Sequence, residues 1–184
     1  MAGKAESMWS GLDGRGKRFA IVASRFNHDI VEMLVVGAKR ALRQHGVAEG
    51  DIDVFWCPGA LEIAPLARRV SRQKAGEGPK YHGIICCGAV IRGETDHYRF
   101  VAAESMHGVG ELANEAHVAV TNAILTVTTM AQAIARAGDD DGNKGHKGQF
   151  GEKCESCHGS THAEFPSSHS NDNLQSVALQ GHAG

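Results

Sequence analysis

A strand, a glycine-bearing loop and the start of a helix are predicted in one segment, which reads Gly83-Ile84-Ile85-Cys86-Cys87-Gly88-Ala89-Val90-Ile91-Arg92-Gly93-Glu94-Thr95-Asp96-His97-Tyr98. The apolar run 83–87 predicts a buried strand that ends at the glycine in position 88. Beyond the loop, apolar residues recur at helical spacing from Phe100 through Val101 and Val109 to Leu112. The segment therefore predicts one β-loop-α unit with its loop at the carboxyl end of a strand.

The predicted helix start has the composition of an anion site with a proton-transfer group beside it. Backbone N–H groups at a helix N-terminus favour a phosphate or a carboxylate. With Thr95 or Asp96 as the N-cap, His97 falls in the first helical turn. From this segment alone, His97 either faces a bound ligand or is simply a solvated histidine on a surface helix.

Outward from this unit, the same alternation occurs four times along the chain. Short apolar runs predict strands at 18–23, 51–56, 83–87 and 118–127, and helical spacing follows at 30–42, 62–70, 100–112 and 130–137. A glycine-rich connector at 75–79 is predicted to be a surface loop. Each unit is too short to bury its own apolar face, so the pattern predicts an α/β fold with one parallel four-stranded sheet and helices on both sides.

Composition narrows the class of protein. The chain has 184 residues, enough for one core, and a formal net charge of −2 with scattered basic residues, so nucleic-acid binding is not expected. No apolar run is long enough to span a membrane, and residues 1–17 do not resemble a signal peptide, which predicts a cytoplasmic protein. Cys57, Cys86 and Cys87 lie in strand-like runs and are expected to be reduced core residues.

Chemically distinctive residues follow three of the predicted strands. In parallel sheets, ligands bind outside the carboxyl ends of the strands. Phe26 could stack on a flat ring or anchor its loop on the core, and Glu62 could accept hydroxyl hydrogens or complement a helix dipole. Arg136, near the end of the last helix, could pair with a phosphate or likewise complement the dipole.

Taken together, these motifs resemble the lumazine synthase family. The resemblance spans residues 19–145 and rests on four motifs in order: Ser24-Arg25-Phe26-Asn27; Pro58-Gly59-Ala60-Leu61-Glu62-Ile63; Gly88-Ala89-Val90-Ile91-Arg92-Gly93 with Thr95 and His97; and Arg136-Ala137-Gly138 followed by Gly142-Asn143-Lys144-Gly145. It implies a flavodoxin-like three-layer α/β/α sandwich. It also implies the penultimate step of riboflavin biosynthesis, in which 5-amino-6-(D-ribitylamino)uracil condenses with 3,4-dihydroxy-2-butanone 4-phosphate without a cofactor or a metal.

The resemblance implies a role for each motif in binding the pyrimidine substrate. The aromatic ring would stack on the pyrimidine, the residues after Gly59 would hold the ribityl chain, and the edge of the third strand would offer main-chain hydrogen bonds. The residues in these roles are Phe26, Ala60, Leu61, Glu62, Ala89, Val90 and Ile91.

Four residues would serve the phosphorylated ketone and the chemistry. Glu94 and Thr95 would bind the ketone through the loop backbone and the Thr95 hydroxyl, with the Glu94 carboxylate turned outward because it repels phosphate. His97 would move protons, and Arg136 would clamp the phosphate from a neighbouring subunit. The resemblance thus implies a homo-oligomer, either a pentamer or a shell of sixty subunits.

The chain departs from the family pattern at two places. Where the family commonly has an aromatic residue and a glycine at the neighbour-facing wall of the pyrimidine pocket, this chain has Asn122-Ala123. After Gly145, where the family continues into a long alanine-rich helix, the chain has a tail rich in Ser, His and Gly. This change fits either a shifted reading frame or an unusual extension.

These boundaries divide the chain into three parts. We expect a flexible segment at 1–16, a lumazine synthase-like domain at 17–145, and an atypical, disordered tail at 146–184. Cys154, Cys157 and His158 have the spacing of a haem-attachment motif, but we expect no metal or haem there.

Other functions compete with the enzyme hypothesis. A non-catalytic scaffold or shell-forming relative that binds flavin or lumazine is the main alternative, since Asn122 and the altered tail could compromise the site or the assembly. A flavodoxin-type electron carrier fits less well, because Ser24-Arg25-Phe26-Asn27 lacks the small, hydroxyl-rich phosphate loop that should follow the first strand.

Overall fold

A parallel sheet of four strands forms the centre of the computed structural model, which describes residues 12–138. The strands of this sheet are β1 (Phe19–Ser24), β2 (Ile52–Cys57), β5 (Gly83–Ile91) and β6 (Ala119–Val127). Two short strands, β3 (Lys74–Ala75) and β4 (Gly78–Pro79), pair separately with each other. The helices are α1 (His28–Gln44), α2 (Ile63–Ser71), α3 (His97–Glu115) and α4 (Met130–Ala137). The order in the sheet is β2-β1-β5-β6, with every neighbouring pair parallel.

Two apolar layers cover the sheet. On one face, α2 and α3 bury Ile63, Val70 and Leu112 against β1 and β5. On the other face, α1 and α4 bury Leu34 and Ala133, with their neighbours, against the same strands. The structure therefore confirms the predicted three-layer α/β fold with a parallel four-stranded sheet.

Strand β5, the third of the four strands predicted from the sequence, is longer than predicted. Instead of ending at Gly88, β5 continues to Ile91, and it pairs with β6 along its whole length. A Cβ atom added at Gly88 would lie 2.7 Å from Cδ1 of Ile63 and 3.4 Å from Ile124. Gly88 is thus a packing residue within the strand rather than a loop residue, because only a bare Cα lets the start of α2 approach the sheet this closely.

Gly88→Ala is expected to destabilise the protein by about 1–3 kcal/mol, the usual cost of overpacking a well-filled core. The clash is with the terminal methyl of Ile63, so adding Ile63→Val should recover a large part of the loss. Urea unfolding of the wild type, both single variants and the double variant measures the coupling. Simple additivity of the two single changes would contradict the packing role.

Two smaller predictions are corrected. The connector at 75–79 contains a short antiparallel hairpin, in which β3 pairs with β4, rather than only a loop. Phe100 does not belong to the buried face of α3, since 68% of its surface is exposed while Ser105, Val109 and Leu112 are buried.

A cluster of ion pairs and hydrogen bonds holds β2 to the start of β5, at the amino ends of the strands. The Tyr81 hydroxyl donates to Asp53 at 2.7 Å, and Arg18 Nη2 lies 3.1 Å from the same carboxylate oxygen. The Tyr81 hydrogen bond, with Arg18 and Lys80 nearby, holds the pKa of Asp53 below its usual range. The cluster keeps an edge strand in register.

Some of the predictions concern residues that the structure does not describe. The tail at 146–184, including Cys154, Cys157 and His158, and the first eleven residues lie outside the described part. Residues 12–16 enter a turn in which the Gly14 N–H donates to the His45 carbonyl at 2.7 Å. Between residues 12 and 138, no helix is long and apolar enough to cross a membrane.

Candidate active site

A cavity of about 340 Å³ opens at the carboxyl ends of the strands, on the side covered by α2 and α3. Its lining comes from three chain segments: the loop after β1, the turn after β2, and residues 89–101, which run from the end of β5 into α3. Nine of the residues that line it are ones that the sequence resemblance implicated: Phe26, Ala60, Leu61, Glu62, Ala89, Val90, Ile91, Thr95 and His97. The cavity lies where the topology of a parallel sheet predicts a ligand site.

Four further residues line this cavity: Gly59, Gly93, Tyr98 and Val101. Gly59 and Gly93 belong to the motifs that carry the resemblance, whereas Tyr98 and Val101 were not predicted as site residues. Tyr98 and Val101 lie one and four positions after His97 in α3, so helical spacing counted from the histidine would have identified the second of them.

Phe26 lies at the mouth of the cavity on a short loop between β1 and α1. Its ring is 70% exposed, so it is not packed on the core as a loop anchor. The loop backbone is fixed by two hydrogen bonds, from Arg25 N–H to the Cys57 carbonyl at 2.8 Å and from Phe26 N–H to the Pro58 carbonyl at 3.0 Å. An exposed aromatic ring on a fixed backbone is suited to stacking on a flat ligand.

Glu62 closes a turn at the start of α2. Its Oε2 accepts a hydrogen bond from the Gly59 N–H at 2.9 Å, and the Glu62 N–H donates to the Gly59 carbonyl at 3.3 Å, at the start of the short 3₁₀ turn Ala60–Glu62. Among residues 12–138, no side chain or N–H group donates to Oε1. The same carboxylate can therefore fix the turn and accept a ligand hydroxyl.

The edge of β5 that faces the cavity is defined by two hydrogen bonds. Arg92 N–H donates to the Val127 carbonyl of β6 at 2.9 Å, so the main chain of Arg92, and by alternation that of Val90, faces β6. Ala89 and Ile91 then face the opposite side, where β1 has already ended, since its last partner in β5 is Cys87. On that side the Ala89 carbonyl accepts a hydrogen bond from Asn27 Nδ2 at 2.9 Å. The main chain available to a ligand is thus that of Ile91, while Val90 contributes its side chain.

At the loop end of the cavity, Gly93, Thr95 and His97 line the wall. His97 is the first residue of α3, as predicted, and Asp96 is its N-cap. The Asp96 side chain makes no capping hydrogen bond, and the Arg99 N–H donates to the Asp96 carbonyl at 3.0 Å. The N–H groups of His97 and Tyr98 therefore keep their capacity to bind an anion. Glu94 is exposed and does not line the cavity, which agrees with a carboxylate turned outward.

Asn122 and Arg136 do not line the cavity of their own chain. Asn122 lies on the edge strand β6, where its Nδ2 contacts Met106 Sδ at 2.8 Å and its Oδ1 accepts from the Ile124 N–H. Arg136 is half-buried, and its guanidinium donates to the Gln132 carbonyl of its own helix at 3.4 Å. Within one chain, these two residues remain separate from the other predicted site residues.

The cysteines near the site are not nucleophiles. Cys57, Cys86 and Cys87 are free and buried, as expected for reduced core residues. Burial, with a smaller effect of the Glu62 charge, raises the pKa of Cys57 to about 11, and burial raises that of Cys86 to about 12. Both thiols stay protonated at neutral pH, which leaves His97 as the group best placed to transfer protons at the cavity wall.

Comparison with known proteins identifies the family. The sequence model of the family described as 6,7-dimethyl-8-ribityllumazine synthase matches residues 16–149. The chain is similar to proteins of that name from Anaeromyxobacter sp. strain Fw109-5, 48% identical over 134 residues that cover 73% of this chain and 79% of the relative, and from Leuconostoc mesenteroides subsp. mesenteroides, 42% identical over 73% and 83%. The chain belongs to the 6,7-dimethyl-8-ribityllumazine synthase family.

Proposed function

We propose that this protein is an enzyme that condenses 5-amino-6-(D-ribitylamino)uracil with 3,4-dihydroxy-2-butanone 4-phosphate, giving 6,7-dimethyl-8-ribityllumazine, phosphate and water. One observation carries the proposal: in a chain of this family, nine residues with implied substrate roles line a single cavity. The cavity joins an exposed aromatic ring, the strand edge at Ile91 and a helix N-terminus. These features suit a flat heterocycle at one end and a phosphate at the other.

In the proposed complex, the pyrimidine ring stacks on Phe26 and pairs with the main chain of β5 at Ile91. The ribityl chain extends along the turn at Ala60 and Leu61, where the free oxygen of Glu62 accepts a hydroxyl hydrogen. Specificity for the pyrimidine then comes chiefly from backbone groups. These are fixed by the sheet and lose little entropy on binding.

The phosphorylated ketone binds at the start of α3, with its phosphate near the first-turn N–H groups and the Thr95 hydroxyl. The substrate's own amine is the nucleophile: it attacks the ketone carbonyl, and water leaves as the imine forms. His97 moves the protons that imine formation, phosphate departure and ring closure require. Much of the rate enhancement comes from holding the two substrates next to each other.

We further propose that the site is completed by a second copy of the chain, in a pentamer or in a shell of sixty subunits. Arg136 and Asn122 lie outside the cavity of their own chain, so they reach a substrate only from a neighbour. Large apolar side chains are exposed in the same molecule, including Phe100, Met130 and Ile134, and their burial would favour assembly. The phosphorylated substrate does not cross membranes freely, which favours a cytoplasmic reaction.

Incubation of the purified protein with both substrates tests the proposed activity. The fluorescence of the lumazine product should rise with time, and omission of either substrate should abolish the rise. Released phosphate, measured in parallel, should match the lumazine formed. A protein that binds the lumazine but forms none from the two substrates would contradict the proposal and would fit a non-catalytic scaffold.

A further inference from the structure

Asn27 has the one positive φ found among the non-glycine residues that the structure describes, with φ 56° and ψ 44°. This left-handed conformation is unfavourable for most L-residues, and asparagine is among the few that adopt it at low cost. Asn27 is also the N-cap of α1, since its carbonyl accepts from the N–H groups of Ile30 and Val31 at 3.1 Å. The chain turns sharply here, directly after Phe26.

The side chain of Asn27 does not cap its own helix. An asparagine at this position ordinarily accepts a hydrogen bond from the first helical turn, but no such bond is present. Instead, Nδ2 donates to the Ala89 carbonyl at 2.9 Å, across 62 positions of sequence. Since the acceptor is a carbonyl, the donor must be the amide NH₂.

This bond takes the place of a missing strand contact. Pairing of β1 with β5 ends at Cys87, so the Ala89 carbonyl lies beyond the last residue of β1 that pairs with it. The Asn27 amide supplies a donor there and extends the hydrogen-bonded ladder past the end of the strand. The chain can thus leave the sheet and project Phe26 over the cavity while β5 stays fixed.

We propose that Asn27 is a positioning residue, which sets the spacing between the Phe26 ring and the β5 edge at Ala89 and Ile91. The inference rests on the proposed function, in which these two walls hold opposite parts of the pyrimidine. The other hydrogen bonds of the loop, donated by the Arg25 and Phe26 N–H groups, go to carbonyl groups at the end of β2. Among the hydrogen bonds of residues 12–138, only the one from Asn27 ties this loop to β5.

Two substitutions separate the side-chain bond from the backbone conformation. Asn27→Gly keeps the positive φ without strain and removes the donor. It should raise KM for the pyrimidine about 3- to 10-fold, the value of one neutral hydrogen bond, and change KM for the phosphorylated ketone less than about twofold. Asn27→Asp keeps the shape of the side chain but places carboxylate oxygens against the Ala89 carbonyl, so it should raise the pyrimidine KM further.

Val70→Ala is the matched control for lost stability, because Val70 is buried at the end of α2 away from the cavity. It should lower Tm without changing the ratio of the two KM values. An unchanged pyrimidine KM in both Asn27 variants, or an equal rise in both KM values, would overturn the positioning role. If the wild type forms no lumazine, the proposed function fails instead, so the two failures are distinguishable.

Discussion

His97→Ala is expected to lower kcat for lumazine formation about 10- to 100-fold, at or below the low end of the usual range for general acid–base catalysis. The residual rate should be substantial because the variant still holds both substrates in one cavity. His97 lies at the cavity wall in the first turn of α3, where proton transfer, rather than binding, is its proposed task. KM for both substrates should therefore change little.

His107→Ala is the matched control for this change. His107 lies in the same helix, is exposed and pairs with Glu111 one turn later, away from the cavity. Its removal should leave kcat within about twofold of the wild type, as expected for an exposed pair of this kind. Steady-state kinetics of the two variants would exclude a proton-transfer role for His97 if their kcat values were equal.

The architecture could be predicted from the sequence because the patterns that mark each strand and helix lie within short stretches of chain. Alternating short apolar runs and helical spacing mark each β-α unit, and units that cannot bury themselves must share a sheet. Gly88 shows where local signals fail. A glycine between apolar residues predicts a strand end, yet here it lies within β5 because Ile63, 25 positions earlier in the chain, needs the space of its missing side chain.

The position of the candidate site could also be predicted, since the topology of a parallel sheet places strand ends on one edge. The geometry within the site could not. The Asn27 bond to Ala89 joins distant segments, and the asparagine at a helix start predicts a cap instead. The direction of the Val90 backbone depends on the register between β5 and β6, which only the folded sheet defines.

Arg136→Ala is expected to lower kcat/KM for the phosphorylated ketone about 100-fold or more, because a guanidinium and a phosphate form paired, charge-assisted hydrogen bonds. The pyrimidine KM should be nearly unchanged. Arg136→Lys keeps the charge but not the planar pair of donors, and it should recover only part of the loss. Arg40→Ala, which removes an exposed arginine from α1, controls for loss of surface charge. An equal effect of the Arg40 and Arg136 changes would exclude a phosphate clamp.

The same variant tests whether the site is shared between subunits. Arg136 lies outside its own cavity while His97 lines it, so a shared site combines His97 of one chain with the arginine of its neighbour. Co-expression of His97→Ala with Arg136→Ala in equal amounts would leave both groups intact in about a quarter of the sites of a closed ring. Activity should then rise to about a quarter of the wild-type value, well above either variant alone.

A site built within one chain gives the opposite result. Each chain in the mixed assembly carries one of the two substitutions, so no cavity could combine an intact His97 with its own Arg136. Activity would then equal the mean of the two variants, whatever the size of the assembly. Because separately assembled variants mixed after purification should also show only this mean, the comparison of co-expressed with mixed protein isolates the contribution of the neighbouring subunit.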